Sequence, residues 1–279
     1  MVTASDNFIT VEGIKLQYTE FGSRSNPHVL CLHGFSLEAH SWDELAERMS
    51  MRYHIVCPSV PGHGGSSRRE SYDDPFADIH LIAAFMDQLG MASATVLGHS
   101  MGGVYGGGLA VFHPQKVERL VMVDSGLDTR APGAAHFQAY VDAWQPEHAS
   151  LDEAKQWARE RFRDTPERSI ESWTRHGGEV SPDGRFRWKL DPVLMNRGKS
   201  PQPEQPDESP FWPFLLQIKC PVLIARGENS DLLRAEIVER MVQTLPDGRS
   251  TEARSVGHGM HYQDPDAVYQ AIKEFLELP

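Results

Sequence analysis

The stretch Thr95-Val96-Leu97-Gly98-His99-Ser100-Met101-Gly102-Gly103 decides how the rest of the chain is read. The apolar run at 94–97 has the composition of a buried strand and stops at Gly98. After Gly102 the sequence turns Gly-rich and then apolar through Leu109, Ala110, Val111 and Phe112, the pattern of a helix. Between them lies Gly-x-Ser-x-Gly, the pattern of a sharp strand-to-helix turn whose serine sits at strained backbone angles. A Cβ at Gly98 or Gly102 would clash where helix and strand approach most closely. Such a turn lifts the Ser100 hydroxyl above the sheet and aims neighbouring N–H groups at the same point, so Ser100 is a candidate nucleophile.

Working outward, residues 8–11 and 14–18 alternate apolar and polar around Glu12-Gly13, which predicts a hairpin. The run 29–32 is continuously apolar up to His33-Gly34, as in a strand buried on both faces. Residues 42–49 and 76–89 have helical spacing, the second closed by Gly90. A strand at 54–57 and a loop at Pro61-Gly62-His63-Gly64-Gly65-Ser66 lie between these helices. Downstream, 120–124 is a further strand. Strands alternating with helices at this pitch predict right-handed crossovers and a mostly parallel, eight-stranded, doubly wound α/β sheet flanked by helices.

The rhythm breaks between Ser125 and Lys219, where 135–144 and 151–162 look helical and 199–210 reads as a Pro-rich loop. Strands and helices resume at 221–226, 235–245, 251–255 and 265–276. The expected organisation is therefore a core of residues 1–124 and 220–279 carrying a helical cap at 125–219. Five of the six tryptophans, Trp144, Trp157, Trp173, Trp188 and Trp212, fall in this insert.

Composition narrows the class. A chain of 279 residues with 40% hydrophobic and 24% charged residues is ordinary globular material. Its formal charge of -12 argues against nucleic acid or an anionic membrane as partner, since both need basic patches. No apolar run is long enough to span a bilayer, and the N-terminus lacks a basic and then apolar signal segment. The 3 cysteines, Cys31, Cys57 and Cys220, sit in or beside apolar runs without metal-site spacing. They read as buried thiols of a cytoplasmic protein, expected to act on a small molecule as a monomer or homodimer without cofactor or metal.

The chain resembles an α/β-hydrolase outside the insert. The residues carrying the resemblance are His33-Gly34-Phe35, Pro61-Gly62-His63-Gly64, Gly98-His99-Ser100-Met101-Gly102, Arg226-Gly227-Glu228-Asn229-Ser230-Asp231 and Val256-Gly257-His258-Gly259-Met260-His261, in that order. The resemblance implies a nucleophile, acid and histidine in chain order: Ser100, then an aspartate, then His258. A serine hydroxyl needs a base that takes its proton during attack, and histidine titrates near working pH. His261 is the nearest rival to His258 and is otherwise read as packing or capping the last helix. His40, His136, His148 and His176 are read as surface or cap residues. The acid, which must be buried to hold the imidazole in one tautomer, has two candidates. Asp231 lies in the loop position usual for such proteins and is preferred; Asp124, at the end of the preceding strand, occupies a position used by a minority.

By the same resemblance the oxyanion donors are the backbone N–H groups of Phe35 and Met101, backed by His33. The insert takes the place of a lid over the C-terminal edge of the sheet. Its aromatic residues, with Trp144, Trp188 and Trp212 in front and His99 beside the nucleophile, either line an apolar substrate pocket or form the lid's own small core. The basic and aromatic run 184–192 reads as a solvated face. The expected reaction is hydrolysis of a carboxylic ester or lactone of a small, largely apolar compound. Carbon–carbon hydrolases of ring-cleavage products, amidases and cofactor-free perhydrolases use the same constellation, and a ligand receptor or scaffold is the non-enzymatic alternative. Epoxide hydrolases and haloalkane dehalogenases need a carboxylate where this chain has Ser100.

Overall fold

The computed structural model describes residues 4–74, 76–126, 138–162, 164–199 and 212–277. In chain order the strands are β1 (Asn7–Val11), β2 (Ile14–Phe21), β3 (His28–Leu32), β4 (His54–Pro58), β5 (Ala94–His99), β6 (Val117–Val123), β7 (Glu147–His148), β8 (Gly178–Val180), β9 (Phe186–Trp188), β10 (Val222–Gly227) and β11 (Gly248–Ala253). Eight of them form one sheet in the order β1-β2-β4-β3-β5-β6-β10-β11. β2 runs antiparallel to both β1 and β4, and every pairing from β4 to β11 is parallel. The predicted α/β architecture is the one observed. Among the described residues no helix is long and apolar enough to cross a membrane.

The central strands are apolar at consecutive positions because both faces of the sheet are covered. Leu30, Val96, Leu120, Met122 and Ile224 point to one face. They pack with Ile82 and Met86 of helix α2 (Ala77–Gln88), Leu109 of α3 (Met101–Phe112) and Met241 of a helix at Ala235–Thr244. Cys31, Leu97, Val121, Val123 and Ala225 point to the other. They meet Trp42, Leu45 and Met49, the last two from helix α1 (Asp43–Met49), and Val268 and Ile272 of a helix at Pro265–Ile272.

Between β6 and β10 the chain leaves the sheet. Residues 138–142 are helical, followed by α4 (Leu151–Arg161), α5 (Glu167–His176) and α6 (Pro192–Lys199). The rest of the predicted helix at 135–144 and nearly all of the predicted loop at 199–210 lie outside the described residues. The insert is not wholly helical, which corrects the expectation. β7, β9 and β8 make a small antiparallel sheet, Glu147 pairing with Arg187 and Val180 with Phe186. Strands of two or three residues show no alternation for periodicity to detect. Val141, Trp144, Trp157, Ala158, Ile170, Trp173, Leu190 and Met195 give this part its own apolar cluster.

Polar contacts join the insert to the sheet edge. Tyr140 donates to Ser36 Oγ (2.6 Å), Tyr72 to Asp191 Oδ2 (3.0 Å) and Ser169 to the carbonyl of Tyr262 (2.8 Å). His40, expected at the surface, is buried and stacks on His176 with ring centroids 3.6 Å apart. Its ring nitrogens face Asp43 (2.7 Å) and Asp6 (2.9 Å). Burial opposes a charge on His40, but the Asp43 hydrogen bond and the surrounding carboxylates outweigh it and hold the ring up to about 9. On His176, burial and the charged His40 ring push the value down to about 4. Burial likewise lowers His33 and His261 to about 3 and His63 to about 4. His148, also expected at the surface, is buried and accepts from Trp188 Nε1 (3.1 Å).

These shifts have opposite signs in stability. For His176, His33, His63 and His261 the unfolded chain takes up protons first, so stability present above the free-histidine value of about 6.5 is lost as pH falls towards 4. For His40 the contribution is complete below about 6.5 and is lost as pH rises through 9. Thermal unfolding should therefore show Tm falling from pH 6.5 to 4, with a shallower slope in His176→Phe, which keeps a ring against His40. A flat Tm over that window contradicts the reading.

Candidate active site

Ser100 joins β5 to α3 at φ 51°, ψ -115°, an unfavourable backbone conformation for a residue with a side chain. Close packing of the backbone enforces it. A Cβ on Gly98 would strike the carbonyl of Gly102, and a Cβ on Gly102 the carbonyl of Leu32 at the end of β3. The Ser100 N–H donates to the Val123 carbonyl (3.1 Å), and Ser125 Oγ donates to the Ser100 carbonyl (2.7 Å). The turn is thus tied to the end of the neighbouring strand.

That strand end carries the second group. Asp124 follows β6 with φ 44° and is buried, at 2% exposure. Its Oδ1 accepts the Gly227 N–H (2.9 Å) and its Oδ2 accepts Ser230 Oγ (2.6 Å). Oδ2 also lies 2.8 Å from Nδ1 of His258, from the loop after β11. Donors on both oxygens offset the cost of removing a carboxylate from water. With Nδ1 turned to Asp124, the His258 Nε2 is the ring atom left for a proton from elsewhere.

This geometry corrects the preference for Asp231. Asp231 is solvent-exposed and lines the cavity described below, whereas the buried carboxylate bonded to the imidazole is Asp124. The reason is register: Asp124 N–H donates to the Ala225 carbonyl (2.7 Å), placing its side chain beneath the loop that bears His258. Ser230, adjacent to the preferred aspartate, is the residue of that loop whose side chain donates to Asp124.

The predicted oxyanion loop abuts Ser100. A Cβ built on Gly34 would lie 3.4 Å from Ser100 Cβ. His33 sits behind this loop, donating from Nδ1 to the Gly34 carbonyl (2.8 Å) and accepting the Val60 N–H at Nε2 (3.0 Å). It is fixed in one tautomer and is a support rather than a wall of the cavity. Met101 opens α3 directly after Ser100.

Ser100, His258, His99 and Phe35 share the wall of a cavity of about 400 Å³. Its other lining includes Trp144, Trp157, Trp173, Trp188, Tyr140 and Tyr262. Trp144, Trp157, Trp173 and Trp188 line the cavity and also pack in or against the insert's own cluster, so the two alternatives that the sequence left open are not exclusive. Trp212 is a correction: it packs in the cluster under the sheet, with the Arg240 guanidinium 4.0 Å over its ring. Glu38 also borders the cavity, buried and pushed up to about 7 by desolvation, while accepting the His40 N–H at Oε2 (2.9 Å). The arginines of the basic run, Arg185 and Arg187, pair with Glu147 on the outside, while Trp188 turns inward. Among the described residues no trio of His, Cys, Asp or Glu is grouped as a metal site.

A strained serine at a strand-to-helix turn, a buried carboxylate on an imidazole and an aromatic cavity at the C-terminal edge of a mostly parallel sheet define a class. A family model of the alpha/beta hydrolase fold matches residues 27–265, and the chain belongs to that family. It is a hydrolase. It is similar to the 3-hydroxybutyrate-oligomer hydrolase of Cupriavidus necator, 28% identical over 271 residues covering 94% of this chain and 92% of that one. The 2-(acetamidomethylene)succinate hydrolase of Mesorhizobium japonicum is 26% identical over 282 residues, 98% of this chain and 97% of that one. The crystal structure of an E-2-(acetamidomethylene)succinate hydrolase superposes with a TM-score of 0.85, covering 99% of this chain and 100% of that one at 22% identity.

The two aspartates can be separated by substitution. Asp124→Asn should lower kcat on an activated ester by about 10³–10⁴-fold, as when an imidazole loses its orienting carboxylate. Asp231→Asn should change it by less than about fivefold, because an exposed carboxylate is screened by solvent. The reverse ranking would restore the loop aspartate as the acid.

Proposed function

We propose that the chain hydrolyses carboxylic esters or lactones of small, largely apolar compounds through an acyl-enzyme on Ser100. The observation that carries this reading is the convergence of Ser100 and the Asp124-bound His258 on one aromatic cavity. As Ser100 Oγ bonds to the substrate carbonyl carbon, its proton passes to His258 Nε2. The imidazolium then gives that proton to the departing alkoxide as the ester C–O bond breaks. Water, deprotonated by the same nitrogen, releases the acid and regenerates the serine. Asp124 holds the tautomer and stabilises the positive ring in both half-reactions.

Charge builds on the carbonyl oxygen in each tetrahedral intermediate. The N–H groups of Phe35 and Met101 are its donors in this reading, each contributing about 3–4 kcal/mol in the transition state. The nearness of Gly34 to Ser100, whose Cβ would lie 3.4 Å from a Cβ added at Gly34, supports the first, and the start of α3 immediately after Ser100 supports the second. Residues 125–219 act as the lid. A cavity of about 400 Å³ suits a drug-sized or smaller ester, and its indole walls favour an aromatic or branched apolar group. The relative named for 3-hydroxybutyrate oligomers, whose units are joined by ester bonds, is in keeping with ester chemistry.

A series of p-nitrophenyl and benzoate esters tests the reading. The expected result is turnover that falls at least about 10⁴-fold in Ser100→Ala. Full turnover by Ser100→Ala would overturn the mechanism. Trp188→Ala should raise KM for an aromatic ester about tenfold, ~1.4 kcal/mol of lost apolar contact. Trp212→Ala should lower Tm and leave KM unchanged; a rise in KM there would put Trp212 back in the pocket.

A further inference from the structure

The residue before the nucleophile, His99, is buried at 2% exposure and makes a contact that the mechanism above does not use. Its Nε2 lies 2.9 Å from the backbone carbonyl oxygen of His258. A carbonyl only accepts, so Nε2 carries the proton, and Nδ1 of the neutral ring is a bare acceptor. Nδ1 is indeed buried without a hydrogen-bond partner among the described residues. On that side the ring meets the oxyanion loop: a Cβ on Gly34 would lie 2.5 Å from Nδ1. The ring centroid is 4.7 Å from that of His258 and 4.4 Å from that of His261, which in turn packs 4.2 Å from Trp42.

We propose that His99 is a positioning residue that sets the spacing of the nucleophile turn, the oxyanion loop and the His258 loop. Its backbone belongs to the turn, its Nδ1 edge packs on Gly34, and its Nε2–H holds the carbonyl of the residue that carries the base. An apolar side chain would fill the same volume without leaving an acceptor unpaired in the interior. The imidazole is retained there at a cost, and the hydrogen bond to His258 is what that cost secures. Burial, with His261 and His258 close by, keeps the ring neutral far below the ordinary histidine range. His99 therefore remains a single-proton donor while His258 cycles through its charged form. Because the contact is to the backbone of His258, it fixes where the imidazole starts without altering its bond to Asp124.

The inference rests on the reading of Ser100 and His258 as the reacting pair, and three variants separate it from simple core filling. His99→Gln keeps an N–H at about the reach of Nε2, while His99→Phe and His99→Leu fill the space without a donor. With folding checked by circular dichroism, Phe and Leu should lower kcat about 10- to 100-fold with KM within about twofold, and Gln should recover most of the loss. Unchanged kcat in Phe or Leu, or a Gln variant as slow as either, overturns the proposal. Nitrogen NMR of histidine-labelled wild-type protein needs no apolar variant to fold. The resonances that disappear in His99→Gln should report Nε2–H with a bare Nδ1 from pH 5 to 8; the opposite tautomer overturns it. Failure of wild-type ester turnover would remove the ester reading, while the NMR result would still decide the hydrogen bond.

Discussion

The crowding of backbone on backbone at Gly98, Gly102 and the end of β3 is the constraint on which the site depends. Helix α3 lies so close to the sheet that no Cβ fits at either glycine, and the chain turns from strand to helix through Ser100. The positive φ of Ser100, and that of Asp124 on the adjacent strand end, each cost about 1–3 kcal/mol. A parallel sheet covered on both faces holds them there, with Leu97 and Val121 fully buried directly beneath. Strain at neighbouring strand ends thus brings a hydroxyl and a carboxylate to one edge of the sheet, and the loop after β11 supplies the imidazole.

The insert solves a different problem. Its aromatic side chains pack on one another, as Trp144 on Trp157 at 5.4 Å and Trp173 on Tyr262 at 4.7 Å, and the inner edge of that cluster is the cavity wall. One set of rings serves as both a small core and a pocket lining. Its attachment through the His40–His176 stack and the Tyr140–Ser36 hydrogen bond ties the insert's placement to residues that follow His33-Gly34-Phe35.

How legible this was follows the range of the interactions. The elbow and the parallel sheet were readable because each leaves a local signature: apolar runs that end at glycine, and helical spacing between them; His258 was named only through the family resemblance. Asp124 against Asp231 was not, because the two differ in burial and in a hydrogen bond spanning the distance from β6 to the far loop, and neither is written in local sequence. The same holds for His40, whose partners Asp6 and His176 come from the segment before β1 and from the insert, both far from it in sequence. Trp212 sat among pocket tryptophans in sequence but folds back under Arg240. The short strands β7 to β9 carried too few residues to show a period.

The central claim is that Ser100 is a nucleophile driven by His258. Reaction of the intact protein with a fluorophosphonate, followed by peptide mass spectrometry, reads that chemistry without reference to any substrate. A single adduct on Ser100, forming at least about 10³-fold more slowly in His258→Ala, is the predicted result. No adduct on Ser100, or an undiminished rate in the histidine variant, would contradict the account.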